Sequence, residues 1–392
     1  MARNGYLIFD SDTHVGPNMD VLGPYLTDDE KAALEPLAKY KRGNRYMIGE
    51  RKYDRRLGDA GPIPADPNSY MSGLFRGSHK GKEPARDGDA NPAARVADMD
   101  FEGVDVNLLL PSGWFGVWTM PEVDPAIEQS IYRAYHRYMK DYCGAFPDRL
   151  TGLIMVSGRD TEASLEEMKR AAKEPWAMGV FCYAPYGMPL DHPSLEPYWE
   201  VAAENDLAIV IHTFTVMPPY APGGLDSWDN LFLQRSAAHP WCGMRNMASI
   251  IGGGVLDRYP DVRLGVLEAG HGWLPAWARR LDEHMHSVAG ALPSLKDNAT
   301  GYVTSGRYFQ SIEMSEGEQI TKATIDILGD HVLMYASDYP HAESWFPESV
   351  DTVMKWDLPH DVKRKLFWDN AVNYYRRYSP SDRLVAAATA TA

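Results

Sequence analysis

Asp12, Thr13 and His14 follow almost directly on a short apolar run, 6–9. An acid two residues before a histidine in an extended segment puts both side chains on one side of it. With 54 acids and 12 histidines in 392 residues, roughly 1.7 such pairs are expected of a shuffled chain and two occur, so the pair alone says little. The other, Asp282-Glu283-His284, falls inside a helical stretch and reads as a solvated face. The first stands at the C-terminal end of a buried strand, where barrel enzymes keep their reacting groups. His212 closes the apolar run 207–211, and Asp338 closes 332–337. An ionisable group in such a place is costly unless paired or coordinated, although a single strand-end histidine is as readily a satisfied core residue. Four such groups on strands one, five and eight would converge at one end of a closed barrel. Two imidazoles with two carboxylates suit zinc, manganese or iron(II). The expected cofactor is a divalent metal, zinc first, held by Asp12, His14, His212 and Asp338.

The elements that must position these residues are legible as continuous apolar runs at 6–9, 104–110, 150–156, 179–183, 208–211, 262–267, 308–314 and 332–336. They do not alternate, as expected of parallel strands covered on both faces. Helical stretches at 124–146, 161–173, 193–205 and 273–286 lie between them. Eight strand–helix units predict a (β/α)8 TIM barrel, and no G-x-G-x-x-G after the first strand supports an open sheet. A Gly-, Pro- and charge-rich stretch, about 18–91, reads as a long insertion after strand one, and 213–239 as another long loop. Residues 1–380 then form a single domain, with 381–392 an expected disordered tail.

Composition narrows the partners. A formal net charge of −15 and the lack of a basic run leave no face for phosphate backbones or anionic lipid. No stretch approaches the roughly 20 apolar residues of a membrane span, and the opening residues do not read as a secretory signal. Three scattered cysteines, Cys143, Cys182 and Cys242, suggest neither a disulfide framework nor a structural zinc. A cytoplasmic protein acting on a small molecule is expected, with no nucleic acid or membrane partner.

Taken in order, Asp12-Thr13-His14, His212, the segment Glu268-Ala-Gly-His271-Gly-Trp-Leu-Pro275, Ser337-Asp338-Tyr-Pro-His341 and Asn370-Ala371 resemble the amidohydrolase superfamily. Within it the chain is most similar to the branch holding aminocarboxymuconate-semialdehyde decarboxylase and the aromatic-acid decarboxylases. The resemblance implies that Asp12, His14, His212 and Asp338 bind one metal, that Asp338 also takes a proton, and that the protein is a homodimer. Strand four, 178–183, has no lysine that could be carboxylated to bridge a second metal, so a mononuclear site is expected. In the decarboxylases of this branch a histidine after strand six precedes an acid; here Glu268 precedes His271. Between the two, an imidazole near pKa 6.5 is the better proton carrier at neutral pH, which favours His271 over Glu268, the alternative being that Glu268 caps the following helix.

Lesser candidates are His239, read as an exposed loop residue, and His341, which could orient a ligand. Arg51, Arg55 and Arg56 read as solvated, and Trp114, Phe115 and Trp118 as an apolar wall or ordinary core. Two chemistries fit the metal. In one a metal-activated water hydrolyses an amide, ester or related carbonyl. In the other the metal chelates a carboxylate and carbon dioxide leaves. The exchanged strand-six pattern favours hydrolysis, with decarboxylation as the alternative and a non-catalytic binding barrel as a third reading. No G-x-S-x-G supports a serine nucleophile.

Overall fold

The protein is described by a computed structural model covering residues 3–42, 45–46, 84–85, 87–111, 124–213, 220, 228, 231–341, 344–382, 384 and 386. Eight parallel strands follow one another in chain order: β1 (Phe9–Val15), β2 (Val106–Pro111), β3 (Leu150–Ser157), β4 (Ala177–Tyr183), β5 (Ala208–His212), β6 (Leu264–Leu267), β7 (Tyr308–Ser311) and β8 (Leu333–Met334). Backbone bonds from Ser11 N to Tyr335 O (3.1 Å), His14 N to Tyr339 O (2.7 Å) and Asp338 N to Asp12 O (3.1 Å) join the last strand to the first. That closure makes the sheet the expected (β/α)8 barrel.

Every residue of these strands is buried, which is why their runs are continuously apolar rather than alternating. Helices pack outside: α1 (Pro92–Glu102), α2 (Pro125–Gly144), α3 (Thr161–Ala171), α4 (Glu196–Glu204), α5 (His239–Gly252), α6 (Leu274–Ser287) and α7 (Gly317–Leu328). Their ends follow capping chemistry. Asn91 Oδ1 accepts from the amides of Ala93 and Ala94, Pro92 opens α1, and Gly103 at φ +91° closes it. Asp160 caps α3, which begins at Thr161 as expected.

One boundary matters for the site. β1 begins at Phe9, not residue 6, and runs through Asp12 and His14 to Val15. These two residues lie within the strand, and their backbone is fixed by both neighbours. The described part of the 18–91 insertion includes short helices Met19–Leu22 and Asp28–Leu34; much of the rest, with Arg51, Arg55 and Arg56, lies outside the described residues.

Candidate metal centre

Four buried side chains, Asp12, His14, His212 and Glu268, meet the half-buried Asp338 at the C-terminal mouth of the barrel. Asp12 Oδ1 lies 3.5 Å from His14 Nε2 and 3.4 Å from His212 Nε2, and among the described residues it accepts no hydrogen bond in good geometry. His14 Nε2 is 3.0 Å from Asp338 Oδ1, and His212 Nε2 is 3.1 Å from Glu268 Oε2. Two overlapping donor sets result, Asp12–His14–His212 and His14–Glu268–Asp338–His341, each with its ligand atoms within 4.8 Å of one another. The imidazoles of His14 and His212 stand nearly perpendicular, with centroids 5.1 Å apart. Nitrogen and carboxylate donors so gathered suit a borderline divalent cation.

The electrostatics ask for positive charge. Burial alone would raise Asp338, but His341 and His14 beside it hold it well below the usual carboxylate range. Glu268, penalised by burial and by Asp338, is still drawn down to about 2 by His212 and His239. Burial lowers His212, yet Asp12 and Glu268 overcome this and push it up to about 10. Burial and the neighbouring His341 hold His14 below its ordinary value. The carboxylates around His212 thus call for positive charge, and the donor set fits a cation that would supply it.

The supports are equally local. Asp10, just upstream, accepts from Ser337 N (3.0 Å) and Ser337 Oγ (2.5 Å), tying β1 to the segment that carries Asp338. Buried Arg95 of α1 donates to the carbonyl of His14 and to Asn107 Oδ1 (3.3 Å), and lies 4.9 Å over the Tyr339 ring. Glu268 and Asp338 adopt left-handed backbone, at φ +47° and +61°. Non-glycine residues pay about 1–2 kcal/mol there, a cost that functional positions tolerate.

The strand-six pair separates. Glu268 faces the donor cluster, whereas His271, expected to meet the substrate, is fully buried behind it. Its Nε2 lies 3.0 Å from Thr321 Oγ1 on α7, and its Nδ1 lies 3.0 Å from Glu313 N and 2.8 Å from Glu316 Oε2. His271 therefore fastens the strand-six and strand-seven loops together. Nor does Glu268 cap the next helix: α6 has no side-chain cap. His239, read as an exposed loop residue, is buried at the start of α5 with Nδ1 3.5 Å from Glu268 Oε1. His341 stacks on His14 at 4.0 Å and places Nδ1 2.9 Å from Asp338 Oδ1.

A cavity of about 280 Å³ opens onto the cluster, walled by Asp12, His239, Glu268, Glu313, Asp338 and Trp345 among others. Glu313 lies near the end of the 308–314 apolar run, and an acid in such a place is the same signal that marks His212 and Asp338. Trp114, Phe115 and Trp118 lie outside the described residues.

A family model described as amidohydrolase matches residues 24–377. The gamma-resorcylate decarboxylase of Rhodococcus jostii (strain RHA1) is 26% identical over 281 residues, 64% of this chain and 79% of the relative. The 5-carboxyvanillate decarboxylase of Novosphingobium aromaticivorans DSM 12444, solved with manganese and 4-hydroxy-3-methoxy-5-nitrobenzoic acid, superposes with a TM-score of 0.62 at 21% identity, covering 95% of this chain and 97% of that one. The 2,6-dihydroxybenzoate decarboxylase from Rhizobium matches with a TM-score of 0.62 at 15% identity, over 95% and 99% of the two chains.

Proposed function

The chain belongs to the amidohydrolase family, and on that premise we propose that it is a divalent-metal-dependent decarboxylase of a hydroxylated aromatic carboxylic acid. This reverses the order of the two chemistries read from the sequence. The observation that carries it is the His239–Glu268 pair standing on the wall of the same cavity as the donor cluster. The named activities of the similar proteins point the same way. Manganese, present in a similar structure, is the first cation to test, with zinc beside it.

Asp12, His14, His212 and Asp338 would hold the cation, which when bound supplies a positive centre for the substrate carboxylate and the adjacent phenolic oxygen. The cavity is near the small end of the roughly 300–1,000 Å³ range of ligand pockets, and its walls suit one ring. His239, on the cavity wall, would give a proton to the ring carbon. As the bond from that carbon to the carboxylate breaks, its electron pair forms the new C–H bond and carbon dioxide departs. Glu268, ionised through neutral pH, orients His239 and balances its charge.

One observation favours hydrolysis as the second reading. Glu268, with its pKa drawn down to about 2, is a base and not an acid, and stands where it could take a proton from water. The test is a panel of hydroxybenzoates, anilides and esters incubated with the manganese- and zinc-loaded protein. Carbon dioxide released in step with loss of a hydroxybenzoate is expected. Hydrolytic products without carbon dioxide would replace this reading by the second.

A further inference from the structure

Among the described residues that line the cavity are the serines Ser236, Ser311, Ser315 and Ser337. Three of them have placed their hydroxyl hydrogens. Ser236 Oγ donates to the Phe232 carbonyl at 2.7 Å, Ser315 Oγ to Glu313 Oε1 at 3.4 Å and Ser337 Oγ to Asp10 Oδ2 at 2.5 Å. Ser311 differs. Its Oγ accepts from the Glu268 amide at 3.1 Å, and among the described residues nothing takes its own hydrogen. The residue is only 2% exposed, so that hydrogen faces the cavity and not bulk water.

The position is built into the barrel. Ser311 closes β7, where it pairs with Met334 of β8, and the ladder from β6 reaches Gln310 through Val266. Just beyond, Glu268 turns to φ +47°, and its amide finds the serine oxygen in place of a ladder carbonyl. That bond occupies one lone pair of Oγ and limits where the hydrogen can point, so a ligand meets a donor already in place. The acids on the same wall, Asp12, Glu268, Glu316 and Asp338, offer only acceptors when ionised. An oxygen anion entering beside them needs a hydrogen from another group as well as a cation.

We propose that Ser311 is a substrate-binding residue, whose hydroxyl donates to an oxygen of the ligand held at the cation, on the β6–β7 side of the cavity. The decarboxylase reading above enters only in naming that ligand as an aromatic acid. A buried donor left unpaired is costly, so an oxygen that accepts from Ser311 gains more than the same contact would bring in water.

Calorimetric titration of the manganese-loaded protein and its Ser311→Ala variant with two probes tests this. One is salicylate; the other is acetohydroxamate, which chelates a cation through its oxygens whichever reaction the protein catalyses. Ser311→Ala should weaken the binding of each by about tenfold or more, because a hydrogen bond to a charged group is lost, while manganese affinity stays within about threefold of the parent's. Crystals of the manganese-loaded parent with the hydroxamate should show a ligand oxygen about 2.8 Å from Ser311 Oγ. A loss of hydroxamate affinity below about threefold, an equal fall in manganese affinity, or no binding of the hydroxamate by the parent would overturn the proposal. So would a crystal structure with no ligand oxygen within about 4 Å of Ser311 Oγ, even if the variant fails to fold. Hydroxamate binding with the expected loss, but no binding of salicylate, would remove the decarboxylase reading alone.

Discussion

In the proposed reaction, the choice of proton-handling histidine rests on where two side chains point. His239 and Glu268 share the cavity wall, while His271 has both ring nitrogens engaged behind it. His239→Asn should therefore lower kcat by about 10² to 10⁴ with bound metal unchanged. His271→Asn should act through the loops it joins, lowering the melting temperature and affecting kcat less than His239→Asn. Steady-state kinetics with metal analysis checks both, and a larger kcat loss in His271→Asn would return the proton to that residue. The four proposed donors and Glu268 were legible in the sequence, because an acid or imidazole closing an apolar run stands out. Direction was not legible. Glu268 and His271 are three residues apart on a turn containing Gly270 at φ +72°, where no fixed periodicity tells which side chain faces inward.

At the scale of the elements, the site depends on how β1 is held against its neighbours. Arg95 is the bracket: it bonds the His14 carbonyl, Asn107 and, at 3.2 Å, Tyr142. Arg95→Met leaves those acceptors without a charged donor and should cost about 3 kcal/mol or more of stability, with weakened metal retention. Thermal unfolding checks it; an unchanged melting temperature would show that the bracket is dispensable. A second bracket sets acid sensitivity. His136 Nε2 accepts from Met155 N (2.9 Å), so Nδ1 carries the proton and donates to Glu167 Oε1 at 2.7 Å. Burial keeps His136 below its ordinary value, so the unfolded chain takes up a proton that the folded one refuses, and stability falls as pH drops below about 6.5. Burial would raise Glu167, but Arg170 and His136 draw it from 4.5 to about 2. Its contribution is present above 4.5 and lost as pH falls toward about 2. Melting temperatures recorded from pH 7 to 3 should fall throughout, and Glu167→Gln should flatten the lower part of that curve. Seven of the eight strands were legible as apolar runs, since burial on both faces leaves that trace; β1 shares only Phe9 with the run at 6–9, because its inward side chains are the polar ones of the site. Arg95, Asp10 and His136 were not, because a polar residue buried against a distant backbone leaves no local pattern.

For the whole molecule, a net charge of −15 sits badly with polyanionic partners, and among the described residues no helix is long and apolar enough to cross a membrane. The 18–91 insertion follows the first strand, where a long loop lies at the barrel's C-terminal mouth and is expected to help build the active site, and it falls largely outside the described residues. We propose that nicking it by limited proteolysis abolishes turnover while the barrel's circular dichroism persists; full activity in a cleanly nicked protein would count against a covering role. A cation bound only by the folded barrel also stabilises it, by about 2.7 kcal/mol at a hundredfold excess over Kd. Chelation should lower the melting temperature accordingly.

Elemental analysis of the protein beside its His14→Ala, His212→Ala and Asp338→Ala variants tests the central claim most directly. One equivalent of a divalent metal is predicted in the parent and well below one in each variant, because each substitution removes one of the four proposed donors. Full retention in all three variants, or two equivalents in the parent, would contradict the single centre built from Asp12, His14, His212 and Asp338.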